Sequence, residues 1–139
     1  MTESETRAAV HELYAAYERR DGERFASFIH DDIDWMIYGP IEIFPFAGPR
    51  RGREQVLAAL AAIEGDYAIE AYRPEVVVVD GDRAAVMSDV TFRQKSSGRI
   101  LRFRIADFLR FADGKVIEFR EFSNTFDVVE QALGRELPL

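Results

Sequence analysis

At 139 residues, with 47% hydrophobic and 31% charged residues and no cysteine, the chain can bury a substantial core without disulfides or cysteine-bound metal. A formal net charge of −7 argues against nucleic acid or an anionic membrane as partner, because both recruit clustered Lys and Arg. The polar, acidic start MTESETRAAV is unlike a secretory leader, and VVVV (Val76 to Val79) is too short to span a bilayer, so a cytoplasmic protein is expected.

Thr2 and Glu5 stand three apart like a capping box, ahead of Val10, Leu13, Tyr14 and Tyr17 at helical spacing, which predicts a first helix over Ser4 to Arg20. Asp21-Gly22 ends it, and Asp21 can cap a short second helix that buries Phe25, Phe28 and Ile29. Ile33 to Ile37 reads as a short strand, broken by Gly39-Pro40. The loop IEIFPFAGPRRG follows, with Phe44 and Phe46 forming a lid over something apolar or tucking into the core. Arg50, Arg51 and Arg53 read as a solvated cluster rather than an anion site. After Gly52 a third helix carries Val56, Leu57, Leu60 and Ile63 on one stripe and stops at Gly65.

From Tyr67 the period changes to two. A strand runs to about Tyr72, Pro74 breaks it, and Glu75 to Val79 leads into the turn Asp80-Gly81-Asp82. Ala84 to Gln94 follows, with Val86, Ser88, Val90 and Phe92 on its apolar face. The longest signal is the hairpin from Leu101 to Asn124. On its first arm Leu101, Phe103, Ile105, Asp107, Leu109 and Phe111 share one face, an apolar row with one carboxylate set into it. A three-residue loop, Ala112-Asp113-Gly114, pairs Phe111 with Lys115, Asp107 with Phe119 and Ile105 with Glu121, which turns both acids inward as diagonal neighbours. A last short helix runs from Phe126 to Leu133. Helices segregated from hairpin-connected strands give an α+β fold spanning residues 1–139 as one domain. It should be cone-shaped, a strongly curved antiparallel sheet wrapped around three N-terminal helices with an apolar pocket at its open end.

Four segments, YAAYERRD (Tyr14 to Asp21), HDDIDW (His30 to Trp35), RGREQVLAAL and ADGKVIEFREF (Ala112 to Phe122), resemble the nuclear transport factor 2-like superfamily, and within it the SnoaL-like proteins related to ketosteroid isomerase. The resemblance implies that fold, a homodimer, and a scaffold shared by isomerases, cyclases, hydratases, epoxide hydrolases and non-catalytic binders. It places Asp107 where the steroid isomerase pattern has its oxyanion-side aspartic acid, an acid kept neutral by its apolar site. It places Ile37, which cannot accept a proton, at the general base, and Leu13 or Tyr14 at the hydrogen-bonding tyrosine. Glu121 is similar to the catalytic aspartate of limonene epoxide hydrolases. Asp89 matches a second acid of that set, but Met87 stands where its arginine would be.

Asp107, Glu121 and Tyr14 are therefore the candidate catalytic residues, since a carboxyl amid Phe103, Ile105 and Leu109 must be paired or neutral. The competing reading makes Asp107 a structural acid bonded to Tyr or Arg, and Glu121 half of a rim salt bridge. Tyr17, Trp35, Tyr38, Phe44, Phe46, Phe103 and Phe119 are candidate ligand-binding residues, with plain core packing as the alternative. Asn124 belongs either at the pocket mouth or in a turn. His11 and His30 have no metal-ligand spacing, and no phosphate loop is recognisable, so no cofactor and no metal are expected. The expected activity is cofactor-independent acid/base chemistry, of isomerase, cyclase or hydratase class, on a small, largely apolar organic molecule. The alternative is a non-catalytic ligand-binding or dimeric structural domain of the same fold. Arg102, Arg104, Phe108, Glu118, Arg120 and Phe122 would form a homodimer face on the outer sheet surface.

Overall fold

In the computed structural model, which describes residues 1–138, Thr2 and Glu5 make the reciprocal capping bonds and open α1 (Glu3–Glu18). Asp21 accepts from the Arg24 amide and starts α2 (Gly22–Ser27), so Gly22 begins a helix rather than ending one. Ile29 belongs to β1 (Ile29–Ile37), which starts four residues before Ile33, where the expected strand begins. The loop that follows contains an unexpected short strand, β2 (Gly48–Arg51), paired antiparallel to β1. Arg50 and Arg53 are not simply solvated there. Arg50 donates to the carbonyls of Pro45, Ala47 and Pro49, and Arg53 to that of Ile29, which fixes the loop against the sheet.

The helix after Gly52 is α3 (Arg53–Asp66), running through Gly65. β3 (Tyr67–Asp80) is continuous across Pro74, because bulges at Ile69/Ala71 and Pro74/Val76 absorb the misfit and bend the strand. It is followed by β4 (Arg83–Gln94), β5 (Ile100–Ala112), β6 (Lys115–Ser123) and α4 (Thr125–Leu133). The six strands form one curved, unclosed sheet in the order β2-β1-β6-β5-β4-β3. All neighbours are antiparallel except β1 and β6, which run parallel. The helices pack against this sheet, α1 on β3 and β4, α3 on β1, β2 and β3, and α4 on β5. The expected α+β cone is present.

The hairpin register differs from the expected one by two residues. Ala112 pairs with Lys115, leaving a two-residue turn in which Asp113 (φ 55) and Gly114 (φ 75) both take positive φ. This geometry matches the right-handed twist of the flanking strands. A bulge between Arg110 and Phe111 then takes up Ile117, and beyond it Leu109 faces Phe119 and Asp107 faces Glu121 directly. Because the displacement is an even number of residues, both acids still face inward. One interior row runs Ile37, Glu121, Asp107, Val86 across β1, β6, β5 and β4. Phe111, Ile29, Val10 and Val116, all nearly inaccessible, close the narrow end beyond it.

Candidate active site

Asp107 is 1% exposed, and its Oδ2 accepts a hydrogen bond of 2.6 Å from the Tyr14 hydroxyl, brought in by α1. Its Oδ1 accepts from no N–H or hydroxyl of the chain. Burial drives the Asp107 carboxyl up to about 7, while hydrogen bonding from Tyr14 and from Glu121 pulls the other way. Glu121, half-buried and lining the same cavity, is pushed well above the ordinary carboxylate range by burial and then by the Asp107 charge. Two carboxyls in direct cross-strand register cannot both ionise cheaply away from water, so they titrate as one unit that keeps at least one proton at neutrality. Tyr14 and Tyr72 are raised well above the usual phenol range, and Tyr17 to about 12, in each case chiefly by burial. These phenols remain neutral donors throughout the physiological range.

Around this polar patch the cavity is aromatic and encloses about 90 Å³. Trp35 stacks on Phe119, centroids 3.9 Å apart and planes 16° from parallel, one row deeper than the acids. Trp35 Nε1 is buried without an acceptor. Tyr17 meets Tyr72 edge-on at 5.1 Å, and Tyr72 lies 6.1 Å from Tyr14. Towards the open end Phe46 contacts Phe44 and Tyr67, while Phe103 contacts Phe92 edge-on. Phe44 is buried and Phe46 half-buried, so this loop tucks in and forms cavity wall.

The structure thus brings Asp107, Glu121, Tyr14, Tyr17, Trp35, Phe44, Phe46, Phe103 and Phe119 to one cavity. Tyr38 touches its rim, but the residue is 42% exposed and its ring stacks on Phe122 at 4.6 Å, on the outer side. Asn124 is not among the lining residues. Its side chain accepts from the Asp127 amide and caps α4, while its neighbours Ser123 and Thr125 face the cavity. Asn124→Ala should therefore cost about 1 kcal/mol of stability in urea unfolding and leave cavity binding unchanged. A selective loss of ligand affinity would restore the mouth reading. Asp89 pairs with Arg104 and Arg73 across the sheet and is exposed, away from the cavity.

Tyr72 was not anticipated, although it lies in the same cross-sheet row as Val90 and Phe103. Parity with Tyr67 could not reveal it because the Ile69/Ala71 bulge shifts the phase. Ser88, fully buried with an unpartnered hydroxyl, was read only as part of the apolar face. Among the described residues no group of three His, Asp or Glu side chains converges as a metal site, and no helix is long and apolar enough to cross a membrane.

A curved sheet closed by helices over a cavity is the nuclear transport factor 2-like arrangement, and solved structures agree. A candidate isomerase from Rhodopseudomonas palustris is 38% identical over 97% of this chain and 100% of its own, with a TM-score of 0.83. An NTF2-like protein from Burkholderia xenovorans is 28% identical over 95% and 98%, with a TM-score of 0.81. An LEH-like epoxide hydrolase from M. tuberculosis, 16% identical over 95% and 92% with a TM-score of 0.76, shares the fold. No curated protein matches the sequence. Residues 10–119 match the family model described as a SnoaL-like domain, and the chain belongs to that family.

Proposed function

We propose that the protein is a cofactor-independent acid/base enzyme, of isomerase, cyclase or hydratase class, acting on a small, largely apolar organic molecule in the cone cavity. The observation that carries this reading is the direct Asp107–Glu121 pair in an aromatic cavity, with Asp107 buried and the Tyr14 hydroxyl 2.6 Å from one of its oxygens. A pair that shares a proton holds a base and an acid side by side near neutral pH. The ionised carboxylate takes a proton from a carbon next to a carbonyl, and the protonated one delivers its own to the carbonyl oxygen. Reversal at a different carbon isomerises the substrate. Tyr14 donates to Asp107 and steadies its ionised form. The likeness to the candidate isomerase from Rhodopseudomonas palustris supports the same class.

The test is deuterium uptake from D₂O into small cyclic ketones, followed by NMR. Asp107→Asn and Glu121→Gln should each slow catalysed exchange by about 100-fold or more, and Tyr14→Phe by less. Exchange no faster than in buffer would favour the second reading, a binder without turnover. One observation supports that alternative: Asp107 receives only a single hydrogen bond from elsewhere in the chain.

The same proposal includes a two-fold homodimer through the outer sheet face. Phe108 and Phe122 are 52% and 43% exposed and meet edge-on, with Tyr38 stacked beside them. Ion pairs Arg104–Glu75, Arg110–Glu118 and Arg120–Asp34 supply a polar surround. Light scattering at micromolar concentration should give twice the chain mass, and Phe108→Glu should halve it. A wild-type monomer would contradict the assignment.

A further inference from the structure

Resting on the reading of this cavity as a small-molecule acid/base site, we propose that its ligand is an organic cation, a small alkyl or cyclic amine whose charged nitrogen sits among the aromatic rings against the free Oδ1 of Asp107.

The charge inventory points first to a cation. Among the described residues lining the cavity, Asp107 and Glu121 are the ionisable acids, and no Lys, Arg or His lines it. Arg20 stands 4.8 Å from the centroid of the Tyr17 ring and is paired with Glu64. The interior potential is therefore negative, which attracts a cation and opposes a carboxylate or phosphate ligand.

The hydrogen-bond inventory agrees. Apart from the proton that the two carboxyls share, Tyr14 is the one side chain that donates to Asp107, and the buried Oδ1 accepts from no N–H or hydroxyl of the chain. An ammonium N–H satisfies that oxygen and offsets the repulsion between the two acids. The rings supply the third argument. Tyr14, Tyr17, Tyr72, Trp35 and Phe119 all line the cavity, and an aromatic enclosure attracts a cation through the negative faces of its rings. A neutral hydrocarbon gains only burial from the same walls.

The protons balance in either mode of entry. A neutral amine takes the shared proton, the N–H bond forming as the carboxyl O–H breaks. A protonated amine instead displaces that proton to solvent. Both leave two ionised carboxylates, Asp107 paired with the nitrogen and Glu121 free as a base, with the ammonium N–H in place of the carboxyl proton as the acid of the site. An acceptor oxygen elsewhere on the ligand would also satisfy Trp35 Nε1. A void of about 90 Å³ restricts the ligand to a small molecule.

Trp35 is the chain's one tryptophan, so its fluorescence reports binding directly. The full-length protein would be titrated with N-methylpyrrolidine, with its carbon isostere methylcyclopentane, and with cyclopentanone. The amine should bind about tenfold or more tighter than the isostere. Its affinity should rise from about pH 6 to 9, with a proton released on binding, as the pair gives up its proton. The titratable groups facing the pair are Tyr14 and Tyr17 on α1 and Tyr72 on β3, whose raised values keep them neutral over that range. Asp107→Asn should abolish the preference while still admitting the isostere, and Glu121→Gln should confine the proton release to pH values below about 7, where Asp107 itself still holds a proton. Equal affinity for amine and isostere, tighter binding of the ketone, or amine affinity that falls with rising pH would overturn the proposal. Ketone exchange that depends on both acids, with no preference for amines, would sink the cation and leave the acid/base reading intact. Failure of exchange and of all binding would sink both.

Discussion

Asp107→Asn is expected to gain on the wild-type protein by roughly 3 kcal/mol of folding stability as pH rises from about 4 to about 7, and to keep that gain at higher pH. The asparagine preserves shape and can still accept from Tyr14. What it removes is a carboxyl whose folded value lies near 7, raised first by burial. An acid raised in the folded state contributes its stability in full below the unfolded value. That contribution is lost as pH climbs through the folded value, because the unfolded chain ionises first. Wild type therefore weakens across this window, and the variant escapes that part of the loss. Removing the Asp107 charge also relaxes Glu121, which acts in the same direction. Urea unfolding at several pH values measures the difference. A variant that instead falls behind as pH rises would show that Asp107 is an ionised structural acid held by a positive partner.

Phe111→Ala should have the other large effect, a loss of about 3–5 kcal/mol against a total stability of about 5–15 kcal/mol. Phe111 is 2% exposed, sits beside the bulge that sets the β5–β6 register, and has its amide held by the Asp82 carbonyl at 2.8 Å. Truncation leaves a void at the closed end that neighbouring strands cannot fill without breaking pairing. Phe111→Leu should cost about 1–2 kcal/mol, since most of the volume is restored. A loss under 1 kcal/mol for the alanine variant would mean that the narrow end is not close-packed.

How far the site could be read from residues alone depends on which physical signal each part carries. Alternation along Leu101 to Phe111 is a strong signal, and it put Asp107 inside correctly. The pairing partner depends instead on the turn. Ala112-Asp113-Gly114-Lys115 fits a two-residue or a three-residue loop; the two-residue turn moves the partner of Asp107 from Phe119 to Arg120, and the bulge at Ile117 carries it on to Glu121. Pro74 argued for a break because proline removes a ladder donor, whereas in the structure a bulge carries the strand through. Both differences involve bulges, which leave composition and period almost unchanged. β2 is illegible for a different reason: Gly-Pro-Arg-Arg has no strand propensity, and it pairs with β1 only once the loop before it is folded back, with Arg50 bonded to the carbonyls of Pro45 and Ala47. Asn124 is a residue type that serves a helix start or a ligand equally well, and only the position of α4 decides in favour of the cap.

Carboxyl ¹³C NMR titration of the selectively labelled protein tests most directly whether Asp107 and Glu121 share a proton at neutral pH. Exposed acids should shift near pH 4, while the Asp107 and Glu121 carbons stay still there. The Asp107 carbon should then move near 7 and the Glu121 carbon well above the ordinary carboxylate range, each responding to the other's ionisation. Assignment by Asp107→Asn and Glu121→Gln should leave one late-titrating signal in each variant. If both carbons instead shift together with the exposed acids near pH 4, the pair is fully ionised at neutrality, and the shared-proton account of this site is wrong.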